Sequence, residues 1–109
     1  MIRATCQQFR FKLPYIKEQV KKVQITFWQE ENEGTEDCPL PITKGIDDCA
    51  GDPTSKEINV TLNQVETAAF ETDRKAFVQF RGLTTDDFAF GSRAMPITVY
   101  PVKDDTILE

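Results

Sequence analysis

Hydrophobic and polar residues alternate along most of this chain. In QFRFKL, Phe9, Phe11 and Leu13 fall on one face while Gln8, Arg10 and Lys12 fall on the other, as a strand with one side in a core requires. Pro14 closes the segment. KKVQITFWQ repeats the pattern with Val23, Ile25 and Phe27 inward and Lys22, Gln24 and Thr26 outward, which leaves Trp28 on the polar face near the strand end. EINVTL alternates again, with Ile58, Val60 and Leu62 on one side. KAFVQFRGL is apolar on both faces, Val78 and Phe80 on one and Phe77 and Leu83 on the other, so it is expected to be a central strand partly covered on both sides. RAMPITVYPV supplies the last strand, with Met95, Ile97 and Val99 on one face and Thr98, Tyr100 and Val102 on the other. Pro96 and Pro101 put it at an edge or in irregular pairing, because proline cannot donate to a ladder. LPITK, next to Pro39 and Pro41, reads as a short edge strand for the same reason.

NQVETAAF breaks the period of two. Val65, Ala68 and Ala69 recur at helical spacing, and Asn63 stands three residues before Glu66, the arrangement of a capping box. One or two helical turns fit, too few to stand alone. A turn of this kind between strands can carry the chain from one sheet of a sandwich to the other. EENEGTEDCP has no apolar face and reads as a solvated hairpin connection, GIDDCAGDPTSK as a loop, and KDDTILE as a polar tail ending in two apolar residues. Six or seven short strands with one short helical crossover turn define an all-β, immunoglobulin-like β-sandwich, a single domain over residues 1–109.

Composition narrows the classes of function. A chain of 109 residues suits one core, and its eight phenylalanines and single tryptophan each bury far more area than an alanine would. The formal charge is −5 with a pI near 4.7, and the basic cluster of Lys17, Lys21 and Lys22 is interrupted by Glu18. Nucleic-acid binding depends on clustered cations, so no nucleic-acid partner is expected. No run approaches the length of a bilayer span, and MIRATCQQFRFKLP carries charges at once with no apolar signal-peptide region. The expected location is therefore the cytoplasm, where thiols stay reduced.

Candidate chemistry is sparse. The chain has no histidine and its three cysteines, Cys6, Cys38 and Cys49, have no CxxC spacing, so the usual zinc sets lack a ligand and no metal or cofactor is expected. Histidine-based nucleophile arrangements are likewise impossible, and no Gly-rich phosphate loop is present. Cys38 and Cys49 bracket a loop that a disulfide could close, or they stay idle thiols. IDDCAGD places Asp47, Asp48 and Asp52 around Gly51, either a calcium loop or a plain solvated one, without EF-hand spacing. RGLTTDDFAFGS sets Asp86 beside Asp87. One reading is a turn whose Thr and Asp side chains bond its backbone; the other is an acid pair, which needs one carboxyl with a raised pKa. Trp28 and Tyr100, outward on their strands, are the candidate interaction residues, either exposed for docking or covered by a neighbouring loop.

The pieces IRATCQQFRFKLP, KKVQITFWQ, INVTLNQVETAAF and VQFRGLTTDDFAFGS together resemble small prophage proteins of Gram-positive bacteria encoded among tail and other virion genes. Asn63, Gln64, Glu66, Thr67 and Phe70 match that family's turn motif, and Gln79, Arg81, Leu83 and Thr84 match its later segment. The acidic EENEGTEDCPLP connection is longer than the family's hairpin, and the family offers no catalytic residues to carry over. In design the chain is also similar to the β-sandwich modules at the head of phage baseplate proteins, a likeness of fold. The resemblance implies a non-enzymatic accessory or structural protein of a phage tail or baseplate, made in the host cytoplasm and carried into the virion, whose partners are other virion proteins or itself. The competing classes are a module binding a carbohydrate or host protein through exposed aromatics, and a hydrolase using carboxylate pairs.

Overall fold

In the computed structural model, which describes residues 1–109, two antiparallel sheets face each other. The smaller contains β1 (Gln7–Lys12), β4 (Cys49–Ala50) and β5 (Glu57–Leu62), in the order β1-β5-β4. The larger contains β2 (Val20–Gln29), β3 (Ile42–Gly45), β6 (Lys75–Thr84), β7 (Ala89–Gly91) and β8 (Met95–Thr98). Its order is β3-β2-β6, after which β8 and β7 share the remaining edge of β6: β8 pairs with Lys75–Val78 and β7 with Arg81–Leu83.

This connectivity is that of an immunoglobulin-like sandwich. Taking β1 as strand B, the sheets read B-E-D and C′-C-F-G, with β7 and β8 dividing the role of G. Strand A is reduced to a single parallel bridge between Ile2 and Tyr100. The expected central strand is β6, and both proline-marked segments lie on edges. Eight strands form where six or seven were expected. Those absent from the six segments read as strands are β4, a two-residue strand inside the stretch read as loop, which follows a 3₁₀ turn at Ile46–Asp48, and β7, the three-residue strand after the TTDD turn. The final strand stops at Thr98, before Tyr100 and Val102.

Alternation sets the core. Across β2 and β6 the inward pairs are Ile25 with Phe80, Phe27 with Val78 and Gln29 with Ala76; the smaller sheet answers with Phe11, Ile58, Val60 and Leu62, all buried. Rings run through it in sequence: Phe27 to Phe9 at 5.0 Å, Phe9 to Phe11 at 6.5 Å, Phe11 to Phe80 at 5.9 Å and Phe80 to Phe90 at 6.5 Å. Such edge and offset contacts add a stabilisation beyond area burial.

The crossover is α1 (Gln64–Ala68), joining β5 of one sheet to β6 of the other. Its reciprocal capping box forms as the sequence implies: Glu66 N donates to Asn63 Oδ1 at 2.9 Å and Asn63 N to Glu66 Oε1 at 3.0 Å. The other Glu66 oxygen accepts Lys44 Nζ at 2.7 Å, tying the β3 edge to the crossover. Thr67 is fully buried, and its Oγ1 both donates to Thr5 O at 2.8 Å and accepts from Thr5 N at 3.1 Å. That exchange fixes the segment entering β1.

Candidate functional site

The adjacent aspartates of the TTDD stretch form a turn. Asp87 N donates to Thr84 O and Thr84 N to Phe88 O, both at 2.9 Å, while Phe88 N donates to Thr84 Oγ1 at 3.0 Å. Asp87 sits at φ 63°, a left-handed position that Asp tolerates better than most residues, and its carboxylate meets Lys21 Nζ at 2.9 Å. Asp86 and Asp87 are both exposed. The stretch is thus the turn of the β6–β7 hairpin, and the Asp87 carboxylate ties that turn to β2.

Three other aspartates, Asp48, Asp52 and Asp104, are also engaged locally. Asp48 accepts from Gly45 N at 2.8 Å. Asp52 accepts from Thr54 N and its hydroxyl at 2.8 and 2.7 Å, which hold its carboxyl below the ordinary value of 3.8. Asp104 is lowered in the same way by the Thr106 hydroxyl and N–H. No group of three or more acidic, cysteine or histidine side chains is arranged to hold a metal ion. Cys38 and Cys49 are free, buried thiols, raised above 9.0 first by burial and then by Glu66 and Asp48 respectively; Cys6 is exposed.

Trp28 lies on the outer face of the larger sheet, as its parity in β2 requires. It is half-buried there because register places it opposite Phe77, whose ring stacks on it at 5.7 Å. The cover is a cross-strand ring on a central strand, where a loop had been the expected alternative. Tyr100 is 56% exposed. Its backbone is fixed by Met1 and Arg3, with Tyr100 N donating to Met1 O at 2.7 Å and Arg3 N to Tyr100 O at 3.1 Å. Pro96 pairs with Phe77 in the row that contains Trp28, whereas Tyr100 lies beyond the end of that strand and bridges Ile2, and the Trp28 ring stacks on Phe77 and not on Tyr100. The fold does not bring the two candidates into one site.

Tyr100 instead joins a group that alternation did not reveal. The large exposed apolar side chains of the chain are Ile2 at 47%, Phe88 at 60%, Tyr100 at 56% and Leu108 at 77%. Three of them collect at the α1 end. Ile2 bridges Tyr100; Arg3 anchors the same segment to the crossover, its Nε and Nη2 donating to Phe70 O and Ala68 O at 2.6 and 2.8 Å. The tail folds back to the same place: Gln64 donates to Leu108 O at 2.9 Å and accepts from Leu108 N at 2.7 Å, and Arg3 meets Asp105 at 3.2 Å. The acidic connection Glu30–Pro41 leaves from this end too, pinned by Asn32 donating to Ala69 O at 3.0 Å. In the sequence, the traces of the group were the outward parity of Tyr100 and the apolar pair closing the polar tail; their meeting with Ile2 left none.

No family model, curated protein or solved structure matches the chain. No helix is long and apolar enough to cross a membrane.

Proposed function

We propose that this protein is a non-enzymatic contact module, an accessory or structural component of a phage tail or baseplate that works by binding other virion proteins or copies of itself. The observation that carries the reading is the α1 end, where Ile2, Tyr100 and Leu108 stand exposed beside an acidic connection. Protein interfaces commonly combine aromatic and aliphatic anchors with a charged rim. The backbone beneath is held by Arg3, Thr67 and Gln64, so docking requires little ordering of the surface. The prophage resemblance of the sequence supplies the setting. Co-expression with the products of adjacent genes, followed by co-purification and light scattering, tests the proposal. A stable complex or self-association is expected; a strict monomer that binds none of those products and turns over a soluble substrate would overturn it.

A further inference from the structure

The outer face of the β2–β6 pair is a groove remote in chemistry from the α1 end. Two adjoining depressions, of about 390 and 570 Å³, share Gln24 and Arg81 and run from Lys22 and Leu83 to Trp28. Their length follows the six residue steps of β2 from Lys22 to Trp28, roughly 20 Å at the rise of a strand. Outward rows along it are Lys22 with Leu83, Gln24 with Arg81, Thr26 with Gln79, and Trp28 with Phe77.

Three features of this groove point to a ligand. Three of its polar side chains are each steadied by one bond and keep others free: Arg81 Nε donates to Gln24 Oε1 at 2.7 Å and Gln79 Nε2 to Ser92 O at 2.9 Å, leaving the Arg81 terminal nitrogens, Gln24 Nε2 and Gln79 Oε1 without a protein partner. Its cations are unpaired on a chain of net charge −5, since the five ion pairs of the molecule use Arg3, Arg10, Lys21, Lys44 and Arg74, and neither Arg81 nor Lys22. And one end is an aromatic stack, Trp28 on Phe77.

We infer that this groove binds a linear oligosaccharide carrying carboxylates. A guanidinium steadied at Nε still presents its terminal N–H groups to a carboxylate, neutral amides and Thr26 suit ring hydroxyls, and an indole offers an apolar surface to a pyranose face. An acidic peptide fits less well. On the face of a sheet the backbone groups of β2 and β6 are already spent on each other, so an extended peptide would find no ladder to join and would leave its own amides unpaired. A sugar brings no such backbone.

Trp28 is the single tryptophan, so its emission reports on this groove alone. The test titrates the whole chain with tetragalacturonate, neutral cellotetraose and hexaglutamate, by fluorescence and calorimetry. Expected are saturable binding of tetragalacturonate that weakens with salt, at least tenfold weaker binding of cellotetraose, and no binding of hexaglutamate. Arg81→Gln should weaken tetragalacturonate binding by about ten- to a hundredfold, the value of a charge-assisted bond, while Lys12→Gln, on the outer face of the other sheet, leaves it unchanged. Should Arg81→Gln fail to fold, Lys22→Gln and Gln79→Ala should each weaken it severalfold. No response to millimolar tetragalacturonate, binding that survives these groove substitutions, or hexaglutamate binding as tightly as the sugar would overturn the inference. None of these results bears on contacts at the α1 end.

Discussion

Gly82 occupies a place in β6 where the two neighbouring strands leave no room for a side chain. It pairs with Val23 on one side and Phe90 on the other. A Cβ there would lie 2.4 Å from Phe90 Cζ, 2.9 Å from Phe90 Cε1 and 2.8 Å from Lys22 O. The ring has little freedom to leave, since it packs against Tyr15 at 5.6 Å and Phe80 at 6.5 Å, and Lys22 O is backbone at the register shift of β2. Overpacking of this kind costs about 1–3 kcal/mol; the lower chain entropy of the unfolded alanine variant returns about 0.4–1 kcal/mol. Gly82→Ala should therefore destabilise the fold by about 1–2 kcal/mol, a fall of roughly 4–10 °C in melting temperature for a domain of this size. Thermal unfolding followed by circular dichroism measures it. Shortening the ring should relieve part of the clash, so Gly82→Ala combined with Phe90→Leu should cost less than the sum of the two changes. An unchanged or raised melting temperature for Gly82→Ala, or strict additivity in the pair, would refute the packing described for this edge.

Further outcomes follow from the buried polar and ionisable groups. Thr67→Val removes both bonds to Thr5 at a fully buried position and should destabilise by about 1–3 kcal/mol, read by urea unfolding. Thiol titration of the native protein should find one fast group, Cys6, with Cys38 and Cys49 reacting only on unfolding, because burial keeps both neutral and shielded. Asp52 and Asp104 have lowered folded-state values, so their contribution is present above the ordinary carboxyl value and lost as pH falls through the lowered one. Melting temperatures taken between about pH 5 and pH 2 should accordingly fall more steeply for the wild type than for a variant carrying Thr54→Val and Thr106→Val.

What could be read from the sequence was local, and what could not was long-range. The periods of β1, β2, β5 and β6 repeat over six to ten residues, enough to show which face is buried, and the Asn63–Glu66 cap lies within one helical turn. Two residues have no period, so β4 was invisible. Lys44 points inward from β3, opposite Ile25, because Glu66 receives it; no pattern rule predicts a lysine there. The partner of Trp28 depends on the register of β2 against β6, and the docking of Leu108 depends on Gln64, 44 residues away. The outward position of Trp28 was legible, but neither its stack nor the grouping of Tyr100 with Ile2 and Leu108 was.

The most direct test of the contact-module reading is an affinity measurement on Tyr100→Asp. Its side chain is exposed and its backbone bonds do not involve the ring, so the substitution should leave the melting temperature within a few degrees of wild type. Against the partner found by co-purification, or against a second copy in sedimentation equilibrium, binding should weaken about thirtyfold or more, the effect of losing an aromatic anchor of about 2 kcal/mol. Unchanged affinity in Tyr100→Asp, and again after adding Ile2→Asp and Leu108→Asp, would contradict the assignment of the α1 end as the contact surface.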